Sequence, residues 1–125
     1  KLLQQHGIHP VLITARNSQS ALKRGADLGI DTQIAVGDKL ASVQALCAQH
    51  GIGLEQVAFM GDDLPDLPVI RRVGLGMAVA SADSFVRQHA HGVTQARGGD
   101  GAAREFCELI MRAQGTLDAA QAAYL

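Results

Sequence analysis

Short apolar runs alternate with helix-like stretches along most of this chain, and that alternation limits the fold more than any single residue does. Pro10-Val11-Leu12-Ile13-Thr14 and Val57-Ala58-Phe59-Met60 are continuous apolar runs bounded by turn residues. A strand that is apolar on both faces needs cover on both, as inside a parallel sheet packed between helices. Residues 76–80 predict another such strand, 32–36 a weaker one and 93–94 a short one. The segments between them predict helices. One is opened by Ser18 and ends before Gly29; the next is opened by Asp38, spans 39–50 and stops at Gly51. Leu40, Val43, Leu46 and Cys47 share one face of that second helix. Shorter helices are expected over 69–72, behind Pro65 and Pro68, and over 82–89, with a last one over 102–113. This order predicts the α/β class, as a three-layer, doubly wound, mainly parallel sheet.

At 125 residues the chain holds one core, so residues 1–125 are read as part of a single domain, ending in an Ala-rich tail at 115–125. Charged residues make up 18% and apolar ones 47%, a balance that excludes a disordered chain. A net charge of -1 with no basic run argues against nucleic acid and anionic membranes as partners. Cys47 and Cys107 lack metal-ligand spacing and are expected to be buried free thiols, which suits a reducing cytoplasm. No apolar run reaches the ~18 residues of a membrane span. His6, His9, His50, His89 and His91 are scattered near helix ends and loops, and none is assigned a metal or general-base role. Lys1-Leu2-Leu3-Gln4-Gln5-His6-Gly7 reads as a helix already under way, with a C-cap glycine and no N-cap. The natural chain is therefore expected to begin further upstream.

In open α/β sheets ligands collect beyond the carboxyl ends of the strands, and three polar clusters fall there. Gly61-Asp62-Asp63-Leu64-Pro65-Asp66 follows the strand at 57–60. Three carboxylates this close repel one another, a hard cation relieves the repulsion, and an all-oxygen set suits magnesium. Gly61 is expected to let the backbone turn sharply so that Asp62 faces the crevice. An ordinary acidic turn with an N-cap would look the same locally. Thr14-Ala15-Arg16-Asn17 follows the strand at 11–13. Its hydroxyl, backbone N–H groups and guanidinium make either a phosphate cradle or a plain strand-to-helix connection. Lys39 opens a helix against the dipole's preference for acids. That points to an anionic partner, although a lone lysine is usually just solvated.

In this order the clusters resemble the haloacid dehalogenase superfamily, over nearly the whole chain. Ile13-Thr14-Ala15-Arg16-Asn17-Ser18, Gly37-Asp38-Lys39-Leu40 and Phe59-Met60-Gly61-Asp62-Asp63-Leu64-Pro65-Asp66-Leu67-Pro68-Val69 look like the cap-less 3-deoxy-D-manno-octulosonate 8-phosphate phosphatases. Gly98-Gly99-Asp100-Gly101-Ala102-Ala103-Arg104-Glu105 is similar to the C-terminal Gly-Gly-x-Gly-Ala-x-Arg-Glu pattern of that family. The resemblance implies a magnesium-dependent phosphomonoesterase of lipopolysaccharide sugar biosynthesis that works through a phospho-aspartyl intermediate. It implies that Asp62 ligates the metal, with Asp63 and Asp66 as further ligands or orienting groups. Thr14 and Lys39 would serve catalysis and hold the phosphoryl group. Arg16 and Arg104 would either bind the sugar acid or phosphate, or form surface salt bridges. A homotetramer whose neighbours and tails close the active sites is also implied.

The family's nucleophile and general acid are two aspartates of an Asp-x-Asp motif ending a first, central strand, and no Asp-x-Asp occurs in this chain. That strand would lie between the strands ending at Thr14 and Met60. The sheet is therefore expected to lack its first, central strand, and the 125 residues alone to be inactive. The alternative reading is a non-catalytic, phosphatase-like oligomerisation domain fused behind a cytidylyltransferase for acidic sugars. Upstream sequence distinguishes the two.

Overall fold

The computed structural model describes residues 2–5, 7–99, 101–115, 122 and 124. Strand β1 (Val11–Ile13) pairs with β2 (Asp31–Gln33) in one sheet. Strands β3 (Ala58–Gly61), β4 (Leu75–Ala78) and β5 (Gly92–Val93) form a second sheet in that order. All three pairings are parallel. The helices are α1 (Leu2–Gln5), α2 (Gln19–Leu28), α3 (Lys39–His50), α4 (Leu67–Ile70), α5 (Ser84–His89) and α6 (Ala102–Gln114). Helices α2, α4 and α5 make the crossovers that parallel pairing requires. The α/β class is as predicted.

Local chemistry sets the element ends. Ser18 Oγ accepts the Ala21 N–H at 3.1 Å, and Asp38 Oδ1 accepts the Ala41 N–H at 3.0 Å, so both predicted N-caps are made. Gly29 and Gly51 close α2 and α3 in the left-handed conformation at φ 68° and 67°. Several boundaries differ from the sequence reading. Strand β2 ends at Gln33 instead of continuing to 36, because Ala35 turns left-handed at φ 54°. There the Ala35 N–H bonds to Arg16 O at 2.9 Å and the Val36 N–H to Thr14 O at 3.0 Å, lacing this loop to the one after β1. Helix α4 begins two residues early at Leu67, and α5 begins only at Ser84, because Asp83 accepts the Phe85 N–H and caps it. Most of the expected tail, with Asp100, lies outside the described residues.

Of three apolar clusters among the described residues, two hold most of these elements together. Ile70, Ala78, Val79, Ala82, Val86 and Ala102 form one. Val43, Cys47, Val69 and Val73 form the other, with Ile13, Leu40 and Phe59 packed on it. Phe59 touches both, and Ile13 brings the end of β1 onto the same core as β3. Yet the sheet is split. Among the described residues β1 pairs only with β2, and β3 only with β4, so one edge of each is left without a strand. Cys47 is buried and Cys107 half-buried, both as free thiols. Among the described residues no helix is long and apolar enough to cross a membrane.

Candidate active site

The shared core puts three loops at one end of the molecule. Ile13, Leu40 and Phe59 pack on one cluster, and beside them in the chain stand the polar residues singled out in the sequence: Thr14 after β1, Lys39 at the start of α3, and residues 61–66 at the end of β3.

Asp66 organises the last of these. It is 2% exposed. Its Oδ1 accepts from Lys39 Nζ at 2.6 Å, an ion pair whose side chains are only 3% and 14% exposed. Its Oδ2 accepts the Asp62 and Asp63 N–H groups at 3.0 and 3.2 Å. The Asp66 N–H in turn donates to Asp63 O at 2.9 Å, closing a single 3-10 turn over Leu64–Asp66. Gly61 makes room for this carboxylate. A Cβ there would sit 2.5 Å from Asp66 Cβ and 2.6 Å from its Cγ. Gly61 is an ordinary strand residue, so the expected reason for it, a sharp turn, gives way to close approach.

The other two acids are exposed. Asp63 Oδ1 accepts the Leu64 N–H at 2.8 Å, and the Asp62 carbonyl accepts the Asp83 N–H at 3.2 Å, which ties the loop before α5 to the site. Neither carboxylate is ion-paired among the described residues. The three acids therefore do not share one environment. Among the described residues, no group of three or more His, Cys, Asp and Glu side chains is gathered so as to hold a metal. The donors still suit a hard cation in part, because two exposed carboxylates without an ion-pair partner among the described residues stand at a strand's carboxyl end.

Thr14 is half-buried, and its Oγ1 accepts the Arg16 N–H at 3.2 Å, so its own hydroxyl hydrogen remains a donor. Arg16 is exposed on the same loop. Arg104 lies on the first turn of α6, 85% exposed, with Nε 3.3 Å from Glu108 Oε1. That is the surface salt bridge the sequence left open as its second reading. Sequence reading quoted Glu105 within the glycine pattern but gave no role to its carboxylate, which accepts the Gln95 and Ala96 N–H groups, and passed over Thr94, buried between Ala80 and Ala96. Both pin the loop leading to the glycines at 98 and 99. The glycine pattern ending on Glu105 was the available signal for it.

Parallel strands, crossover helices and acids at a strand's carboxyl end define a Rossmann-like α/β domain. The profile of the haloacid dehalogenase-like hydrolases matches residues 34–106, and the chain belongs to that family. It is similar to the 3-deoxy-D-manno-octulosonate 8-phosphate phosphatase of Yersinia pestis, 44% identical over 115 residues that cover 90% of this chain and 61% of the relative. Among solved structures, a probable YrbI-family phosphatase of Pseudomonas syringae pv. phaseolica is 55% identical with a TM-score of 0.96, over 98% of this chain and 70% of that one. The octulosonate 8-phosphate phosphatase of Moraxella catarrhalis, crystallised with magnesium, phosphate and KDO, is 38% identical with a TM-score of 0.95, over 99% and 72%. The chain thus spans about three fifths of the curated relatives it matches.

Proposed function

We propose that the protein to which this chain belongs is a magnesium-dependent phosphomonoesterase acting on 3-deoxy-D-manno-octulosonate 8-phosphate, in lipopolysaccharide sugar biosynthesis in the cytoplasm. The observation that carries the reading is the pair of half-buried Lys39 and buried Asp66 next to the exposed Asp62 and Asp63 carboxylates at the end of β3. A half-buried ammonium and exposed acids side by side suit a phosphate ester bound together with a divalent cation. Similarity to the Yersinia and Moraxella enzymes supports the substrate.

In this reading Asp62 is the carboxylate presented to magnesium, with Asp63 beside it. Magnesium ordinarily takes only one or two carboxylates and fills its other positions with water and phosphate oxygens, so a partial protein set suffices. When bound, the metal would offset the negative charge that builds on the transferring phosphoryl group. Thr14 donates its hydroxyl hydrogen to a phosphoryl oxygen. Lys39, held on one side by Asp66, turns its remaining hydrogens to the phosphate. Arg16 stands as the charged group for the sugar acid, while Arg104 is turned to Glu108.

Neither nucleophile nor general acid is among these residues. We assign them to an upstream Asp-x-Asp strand lying between β1 and β3. One carboxylate attacks phosphorus as the ester P–O bond breaks, the second gives the leaving oxygen its proton, and water then hydrolyses the acyl phosphate. Assembly as a homotetramer belongs to the same proposal. The test is phosphate release by the full-length protein with and without EDTA. Activity indifferent to the chelator, or surviving Asp62→Ala, would overturn the reading.

A further inference from the structure

We propose that Ala35 is a positioning residue, a left-handed bulge that aims the Thr14 hydroxyl at the phosphoryl group. The inference rests on the phosphatase reading above and says how one of its groups is held. Strands β1 and β2 pair in register as far as Ile13 and Gln33, and the Thr14 N–H still donates to Gln33 O at 3.0 Å. In an unbroken parallel ladder Thr14 O would next accept from residue 35, and the carbonyl of residue 35 would accept the Arg16 N–H. The structure slips past this pattern. Thr14 O accepts from Val36 at 3.0 Å, and the Ala35 N–H donates to Arg16 O at 2.9 Å. Ala35 is therefore an extra residue on its side of the ladder, a bulge at φ 54°. Its consequence reaches the chemistry directly. The Arg16 N–H, released from the ladder, donates instead to Thr14 Oγ1 at 3.2 Å. That bond holds the Thr14 side chain in one rotamer and occupies a lone pair, which leaves the hydroxyl hydrogen to be given away. Glycine would adopt this backbone freely, whereas an alanine adopts it only under the hold of its surroundings, here two backbone bonds to the loop that carries Thr14.

The test uses the full-length protein and steady-state phosphate release from the octulosonate ester. Ala35→Val puts a β-branched side chain where φ is positive, so the bulge is expected to collapse. The expected fall in kcat/KM is roughly tenfold to a hundredfold, the worth of one hydrogen bond to a charged group. Ala35→Gly keeps the N–H and accepts the same φ, so it is expected to stay within about twofold of the unmodified protein. Thr14→Val removes the hydroxyl itself. In that background Ala35→Val is expected to cost less than about threefold more, because the group it aims is already gone, whereas a merely structural role would add in full. Should Ala35→Val fail to fold, a crystal structure of the unmodified full-length protein with inorganic phosphate decides the question. Ala35 is expected there at positive φ, with Thr14 Oγ1 in hydrogen-bonding reach of a phosphate oxygen. A kcat/KM unchanged in Ala35→Val, an equal loss in Ala35→Gly, or losses that multiply in full in the double variant would each overturn the assignment. So would a crystal structure with Ala35 at negative φ or with the Thr14 hydroxyl turned away from phosphate. Absence of phosphate release by the unmodified protein would instead overturn the phosphatase reading, and this assignment with it.

Discussion

Asp66 is buried with two backbone N–H groups and one cation as partners, and half-buried Lys39 is that cation. A buried charge without a partner costs several kcal/mol, and a paired one much less. Lys39→Met would leave a carboxylate that is 3% exposed with its amide bonds but no cation. The expected loss is about 3 kcal/mol of stability, read from the urea midpoint, together with loss of phosphate release. Gly61→Ala attacks the same seat from the strand side. It is expected to cost about 1–3 kcal/mol through overpacking and to lower kcat. Cys107 gives a pH-dependent readout. Burial pushes its thiol up from the ordinary value. Unfolding then releases a proton at alkaline pH, so the native state loses stability as pH rises through the ordinary thiol range and gains nothing below it. Iodoacetamide should accordingly modify Cys107 more slowly than a free thiol at mildly alkaline pH, and a rate equal to that of a free thiol would contradict the burial.

Helix α3 shows how an element aims a functional group. Asp38 caps its first turn, placing Lys39 at the first helical position and setting a negative charge beside the N-terminal dipole. Asp38→Ala is expected to cost about 1 kcal/mol by thermal melting. A smaller drop in activity should accompany it, since Lys39 keeps its hold on Asp66. Asp38 was legible as a cap because capping reaches only three residues ahead. The end of β2 was not. Nothing in the residue type of Ala35 announces φ 54°, which is imposed by bonds from Ala35 and Val36 to a loop about twenty residues earlier in the chain.

At the scale of the whole molecule, one core carries two sheets, each with an edge that has no strand beside it among the described residues. Leu12 in the middle of β1 is 38% exposed, so an apolar side chain stands open on that strand. Both features are costly for a sheet in water. Under the proposed function, the 125 residues alone should release no phosphate from the octulosonate ester. A longer chain that supplies the upstream strand should release it and unfold in a single, higher transition; equal activity from both would remove the need for that strand. The strand–helix order, both N-caps and the position of the acid cluster were all readable in the sequence, because each rests on interactions within a few residues. Only the tertiary structure decided that Asp66 is buried while Asp62 and Asp63 are not, and why residue 61 is a glycine. Lys39 and Asp66 lie 27 residues apart. Their meeting is set by how α3 packs against the turn after β3, which local sequence does not encode.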